Sequence, residues 1–305
     1  MRRVLLWMAG NAFLRRHLPR LPFARRAVRR FMPGETIEEA LDAAEGFRPH
    51  GIGILLTHLG ENLTSLEQAD AVAEHYHRVL DLVRARGLDA EVSLKLTQIG
   101  LDLDAEATYG HLASLAAHAA EGGGTLWIDM ESSAYVDRSL ELYRRLKADH
   151  PNAGICLQAY LRRTPADVHA LLPLQPQIRL VKGAYDEPEP LAFRRRDEVD
   201  AAYQSLAVLM LPPASRGELR LGLGTHDTRL IERVADHARA AGIAIDAFEV
   251  QMLYGIRADE QRRLAAEGYV VRDLIAYGEA WYAWYMRRLA ERPANVLFAL
   301  RQLAG

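Results

Sequence analysis

Reactive side chains recur in this sequence where short apolar runs stop: His58 and Glu61, Lys95, Asp129 and Glu131, Gln158 and Tyr160, Lys182 and Tyr185, His226 and Asp227, Gln251 and Tyr254. Three chemistries use such a set. A lysine in apolar surroundings loses its proton readily and forms Schiff bases, so Lys95 or Lys182 suits an aldolase. Imidazoles and carboxylates bind metal, so His58, Asp129, His226 and Asp227 suit a hydrolase, although no HExxH or His-x-His spacing sets two imidazoles on one ion. Cationic groups also hold carboxylates and phosphates, which is how a flavin enzyme would use them. No GxGxxG follows a strand, which argues against a Rossmann cofactor site. Taken singly, each residue serves as readily as a helix cap or a surface ion-pair partner, and His75 and His77 are expected in solvent. Their recurrence at run ends is what points to a site.

The elements that must position them follow from period. From Gly51 onward, β-rich apolar runs alternate with amphipathic segments. The runs are 51–59, 91–96, 125–130, 154–159, 178–181, 219–224, 247–253 and 269–275. Helices are expected at 65–86, 136–150, 228–241 and 259–267, with Thr164-Pro165 as a cap and first-turn proline and Gly87, Gly242 and Gly268 as stops. Eight βα units without a composition break favour an α/β fold of the (β/α)8 TIM-barrel type over a doubly wound sheet. In such a barrel the run ends converge on one mouth.

With half of its 305 residues hydrophobic, the chain can bury a full core, and composition excludes disorder. A net charge of -2 gives no reason to expect nucleic acid. The local exception is the N-terminus, where residues 1–31 carry nine arginines and no acidic residue among interleaved apolar positions. Residues 1–34 read as a basic amphipathic helical arm that either packs on the domain or touches an anionic membrane, and residues 35–305 as a single barrel domain. A span of about 20 apolar residues is absent, and Cys156 is the only cysteine, so an internal disulfide is excluded and a cytoplasmic setting fits.

The strings His58-Leu59-Gly60-Glu61-Asn62-Leu63-Thr64-Ser65, Ser93-Leu94-Lys95-Leu96-Thr97-Gln98-Ile99-Gly100 and Ile128-Asp129-Met130-Glu131 resemble successive strand ends of the proline dehydrogenases. Leu157-Gln158-Ala159-Tyr160-Leu161, Arg179 to Tyr185, Thr225-His226-Asp227, Phe248 to Gly255 and the Arg287-Arg288 pair follow in the same order, so the resemblance runs from about residue 35 to the C-terminus. It implies a (β/α)8 barrel that binds FAD and oxidises L-proline to 1-pyrroline-5-carboxylate by hydride transfer from C5. By resemblance Arg179 lies near flavin N5, Gln158 at the pyrimidine edge, and Lys182 and Gly183 along the ribityl-pyrophosphate, with Val181 and Ala184 also contacting the cofactor. Thr225 and His226 help seat the cofactor, and no metal is implied. Arg287, Arg288 and Lys95 form the carboxylate clamp, Asp129 and Tyr185 support it, and Glu61 pairs with Arg287 as a gate. Read without the family, Arg287-Arg288 is a solvated helix end paired to Glu291. The resemblance also implies a quinone acceptor and a separate aldehyde dehydrogenase acting downstream.

One stretch departs from the family pattern. The eighth strand of most members reads Arg-x-Tyr-x-Pro-Tyr-Gly, whereas here Leu274 stands at the tyrosine and Ala276 at the proline of Arg272-Asp273-Leu274-Ile275-Ala276-Tyr277-Gly278. Trp284 replaces another pocket tyrosine, while Leu253 keeps its apolar role. Either Trp284 refills the volume and L-proline remains the substrate, or the pocket prefers hydroxyproline or a pipecolate-like ring.

Overall fold

Eight parallel strands, each hydrogen-bonded to the next and the last to the first, close a barrel in the order β1-β2-β3-β4-β5-β6-β7-β8. The structure, a computed structural model, describes residues 11–17, 28–60, 63–282 and 284–286. The strands are β1 (Gly53–His58), β2 (Ala90–Lys95), β3 (Leu126–Asp129), β4 (Ala153–Gln158), β5 (Gln177–Val181), β6 (Arg220–Gly224), β7 (Phe248–Leu253) and β8 (Val270–Tyr277). Each begins and ends within two residues of its expected limits.

Among the described residues the helices are α1 (Ala12–His17), α2 (Ile37–Glu45), α3 (Leu66–Arg86), α4 (Ala105–Glu121), α5 (Val136–Asp149), α6 (Thr164–Leu171), α7 (Arg196–Ser215), α8 (Thr228–Ala240) and α9 (Ala258–Ala266). Local chemistry fixes their ends. Thr36 and Glu39 form a reciprocal capping box at α2, and the Asp104 carboxylate accepts from the Glu106 and Ala107 amides at α4. The expected Thr164 cap is not made. Arg163 is the cap residue of α6, and the Thr164 hydroxyl instead donates to the Gln158 carbonyl at 2.6 Å, tying helix to strand.

Side chains alternate between two environments along each strand. The outward set, including Ile54, Val92, Ile128, Ile155, Leu180, Val250 and Ile275, packs under the helices as the main core. The inward set carries most of the buried polar side chains. At its lower level Arg220 bonds Glu91 at 2.7 Å and Glu249 at 2.6 Å, while the Trp127 indole donates to Glu91 at 2.7 Å. Arg272 lies 3.4 Å from Glu249, so two cations meet two carboxylates. Burial alone would lower the Arg220 pKa, but its bonds to Glu249 and Glu91 outweigh burial and raise it. Gly154 is required here because a Cβ would lie 2.5 Å from the Trp127 ring.

A second apolar cluster unites Val28, Phe31 and Met32 with Leu59, Ala276, Trp281, Tyr282, Trp284, Tyr285 and Met286. The Trp281 indole also donates to Glu35 at 2.9 Å. The described end of the arm therefore belongs to the packing of the barrel's last segment. Residues 1–10 and 18–27 of the arm lie outside the described residues. Among the described residues no helix is long and apolar enough to cross a membrane.

Candidate active site

The inward face above that charged floor brings together residues from β2, β3, β4 and β5. Lys95 stands beside Asp129 in the β2–β3 register. The Arg179 guanidinium, 4% exposed, donates to Asp129 Oδ1 at 2.9 Å and to Ser93 Oγ at 3.2 Å, and Ser93 in turn donates to Asp129 Oδ1 at 2.8 Å. Arg179 also lies over the Trp127 ring, 4.9 Å from its centroid. One donor remains: Arg179 Nε is buried with no acceptor among the described residues. An orphan buried N–H costs stability unless something accepts from it, so this position suits an electron-rich group at the mouth. Cys156 is also buried on this face. Burial pushes its thiol up to about 12, which leaves it inert.

The rim is built from the loops after β3, β4 and β5. Gln158 donates to the Glu131 carbonyl at 2.7 Å, and the Glu131 carboxylate accepts from the Thr97 amide at 3.2 Å and hydroxyl at 2.7 Å. Gly183 has φ +116, and a Cβ there would lie 2.2 Å from the Tyr160 ring, so only glycine lets the chain leave β5 over that tyrosine. The following loop folds back through an antiparallel bridge between Leu161 and Ala192. Its Glu187 is buried and accepts from both the amide and the hydroxyl of Ser133. Ala184 and Tyr185 are half-buried on this rim.

Lys182 reaches the other way, with its ammonium 2.5 Å from Asp200 and 3.0 Å from Asp227. Beside it lies a cleft of about 550 Å³ to which Arg196, Arg229 and Arg233 contribute cations and Asp200, Asp227, Glu232 and Asp236 carboxylates. Burial would raise the Asp227 pKa, but the bond and charge of Lys182, the Arg196 cation and the Leu230 amide together outweigh it and hold the carboxyl below its usual range. A pyrophosphate here would share Lys182 with two carboxylates. Thr225 is buried and accepts from the Asp227 amide at 3.1 Å, and His226 is half-buried next to it.

The remaining wall comes from β7 and β8. Leu253 and Leu274 are register partners, half-buried on the inward face, and Trp284 is buried in the same apolar cluster as Ala276. Arg287, Arg288 and Glu61, on which the clamp and gate were placed, lie outside the described residues.

Several strand-end residues do not join the mouth. His58 pairs with Tyr277 in the β1–β8 register and turns outward, its ring 4.4 Å from His75. Burial chiefly, and then His75, lower the His58 pKa to about 4. Tyr254 packs against Phe47, and Gln251 drops to the floor, where it donates to Glu249 at 3.1 Å. Nor are His75 and His77 solvated as expected: His75 Nε2 is 2.8 Å from the Tyr277 hydroxyl and His77 Nδ1 is 2.8 Å from His118 Nδ1. With His58 outside the barrel and Asp129 inside, the ligand set that a metal hydrolase would need is divided. Among the described residues no group of three His, Cys, Asp or Glu side chains could hold a metal ion. Sequence reasoning missed Ser93, Thr97, Asp200 and Glu187. Ser93 and Thr97 lie inside a strand-end motif without being singled out, Asp200 and Glu187 lie outside any motif, and only the closed barrel sets the four against Asp129, Glu131, Lys182 and Ser133.

Comparison with known proteins gives the family and the fold. A family model described as proline dehydrogenase matches residues 40–301. Proline dehydrogenase 1 of Bacillus subtilis subsp. natto is 36% identical over 301 residues, covering 99% of this chain and 98% of the relative. The proline dehydrogenase of Deinococcus radiodurans is 38% identical over 277 residues, covering 89% and 88%. Among solved structures, proline utilization A from Bdellovibrio bacteriovorus inactivated by N-propargylglycine superposes with a TM-score of 0.82 at 21% identity. That match covers 95% of this chain and 38% of the longer polypeptide, and it bears on the fold alone.

Proposed function

This chain belongs to the proline dehydrogenase family, and from that premise we infer that it catalyses the flavin-dependent oxidation of L-proline to 1-pyrroline-5-carboxylate. The aldolase and hydrolase readings are not favoured by that membership. The observation that carries the site assignment is the buried Arg179–Ser93–Asp129 group beside Lys95, with Arg179 Nε still lacking an acceptor among the described residues. Bound FAD supplies the two-electron acceptor for the hydride that leaves C5. Gln158, Arg179, Val181, Lys182, Gly183, Ala184, Thr225 and His226 would hold it, with the Arg179 cation favouring electron density on the ring.

Lys95, Arg287 and Arg288 would clamp the substrate carboxylate, since charge-assisted pairs both bind and orient. Asp129 and Tyr185 support them. Leu253, Leu274 and Trp284 wall the substrate ring, and pairing of Glu61 with Arg287 would close the site to water. Before hydride leaves, the secondary ammonium must lose its proton to free the nitrogen lone pair. Solvent takes that proton, and the reductive rate rises with pH as the bound amine deprotonates.

Electrons then pass to membrane quinone, the chain works in the cytoplasm as a peripheral partner of the membrane, and the basic arm supplies the contact. A separate aldehyde dehydrogenase takes the hydrolysed imine. Purified protein should be yellow and bleach anaerobically with L-proline; folded protein unable to take up FAD ends this reading. Liposome co-sedimentation should vanish when residues 1–31 are deleted, and its persistence would remove the arm's role.

A further inference from the structure

On the outer face of β8, directly behind the leucine wall, Asp273 is completely buried. Its register neighbours on that face are Ile54 of β1 and Met252 of β7, both apolar. The α2 helix packs against β8 with Ile37, Ala40, Leu41 and Ala44 as its buried face. Gln261 of α9, also fully buried, is the polar side chain that meets Asp273. Tyr254 is the titratable group that feels its charge.

Counting donors shows the difficulty. The two hydrogens of Gln261 Nε2 go to the Leu253 and Ile256 carbonyls, each at 3.2 Å. Gln261 Oε1 and both Asp273 oxygens then have no full hydrogen bond among the described residues. Both Asp273 oxygens are thus buried acceptors without a hydrogen bond, the Gln261 amide beside them has its hydrogens turned to backbone carbonyls, and a carboxylate would sit there without a cation. A single added proton resolves both deficits.

We propose that Asp273 is held as a neutral carboxylic acid that donates its O–H to Gln261 Oε1, and that this bond positions Leu253 and Leu274, the two leucine walls of the substrate pocket. Gln261 becomes anchored at three points and fixes the Leu253 carbonyl. Asp273 directly precedes Leu274, whose carbonyl accepts from the Tyr254 amide at 3.0 Å, so one buried bond governs the spacing of both walls. Burial pushes the Asp273 carboxyl up to about 8, against a smaller opposing effect of the Gln261 amide. The assignment of the leucines as pocket walls rests on the proposed function; the protonation state does not.

The test compares wild type, Asp273→Asn and Asp273→Leu as FAD-loaded full-length proteins. A group protonated when folded and ionised when unfolded stabilises fully below the unfolded pKa, and that stability is lost as pH rises towards the folded pKa. Wild-type Tm should therefore fall relative to Asp273→Asn between pH 5 and pH 8 and run parallel above it. Asp273→Asn, whose amide can donate to Gln261 Oε1, should keep wild-type KM for L-proline. Asp273→Leu should raise KM about fivefold or more with kcat within twofold. Parallel Tm curves over pH 5–8 overturn the neutral acid, and diverging curves with unchanged KM in Asp273→Leu overturn the positioning role. Diverging curves in a protein that never oxidises proline would overturn the proposed function and leave the neutral acid standing.

Discussion

Replacing Arg179 by methionine tests the centre of the site. Its 2.9 Å contact with Asp129 is worth about 6 kcal/mol of Coulomb attraction at an effective dielectric of about 20. Desolvating a guanidinium that is 4% exposed offsets much of that. Truncating one member of a buried pair typically costs about 3–5 kcal/mol, because the other charge is left without its partner. Asp129 retains 22% exposure and its bond from Ser93, so the lower end, about 3 kcal/mol, is expected by urea denaturation. The functional loss is separate. A cation that stabilises the reduced cofactor by about 1.5–3 kcal/mol sets its two-electron midpoint potential about 30–60 mV higher than it would otherwise be. Arg179→Met should lower the potential by that amount and slow anaerobic flavin reduction about 100-fold. Arg179→Lys can pair with Asp129 yet offers no second donor in a fixed fork, so it should regain about half the stability and little of the rate. A methionine variant with unchanged potential and reduction rate would refute the reasoning.

Three other outcomes follow from the same structure. Arg220→Met should cost about 3 kcal/mol by exposing Glu91 and Glu249 to each other, with kcat of the folded holoenzyme kept within twofold, and adding Glu91→Gln should recover part of the loss. Because burial lowers His58 to about 4, wild-type stability should fall as pH drops from about 6.5 towards 4, and His58→Gln should flatten that slope by roughly 1–3 kcal/mol in acid denaturation. If Trp284 occupies the volume that the tyrosine would fill, Leu274→Tyr alone should cost about 1–3 kcal/mol and reduce kcat/KM for L-proline. The double change Leu274→Tyr with Trp284→Tyr should then recover both, whereas additive effects would show that the two positions do not share a space.

The apolar runs and their spacing were enough to place all eight strands, because short β-rich apolar runs buried on both faces and glycine stops are written locally in the chain. The order of motifs was enough for the family. Which face each strand turns inward was not legible, since alternation gives two faces without saying which one meets the barrel axis. Lys95, Asp129, Gln158 and Arg179 face inward, whereas His58, equally polar and also at a strand end, pairs with Tyr277 on the outer face. Closure and stagger decide that choice, and they also place Ser93, 36 residues away in sequence, against Asp129. Asp273 shows the same limit most sharply. Its sequence neighbours mark only a strand, and its burial opposite Gln261 exists only once β8 has been covered by α2 and α9. Local pattern sets which segments extend and which coil, while the environment of each polar group is a property of what the fold brings to it from far along the chain.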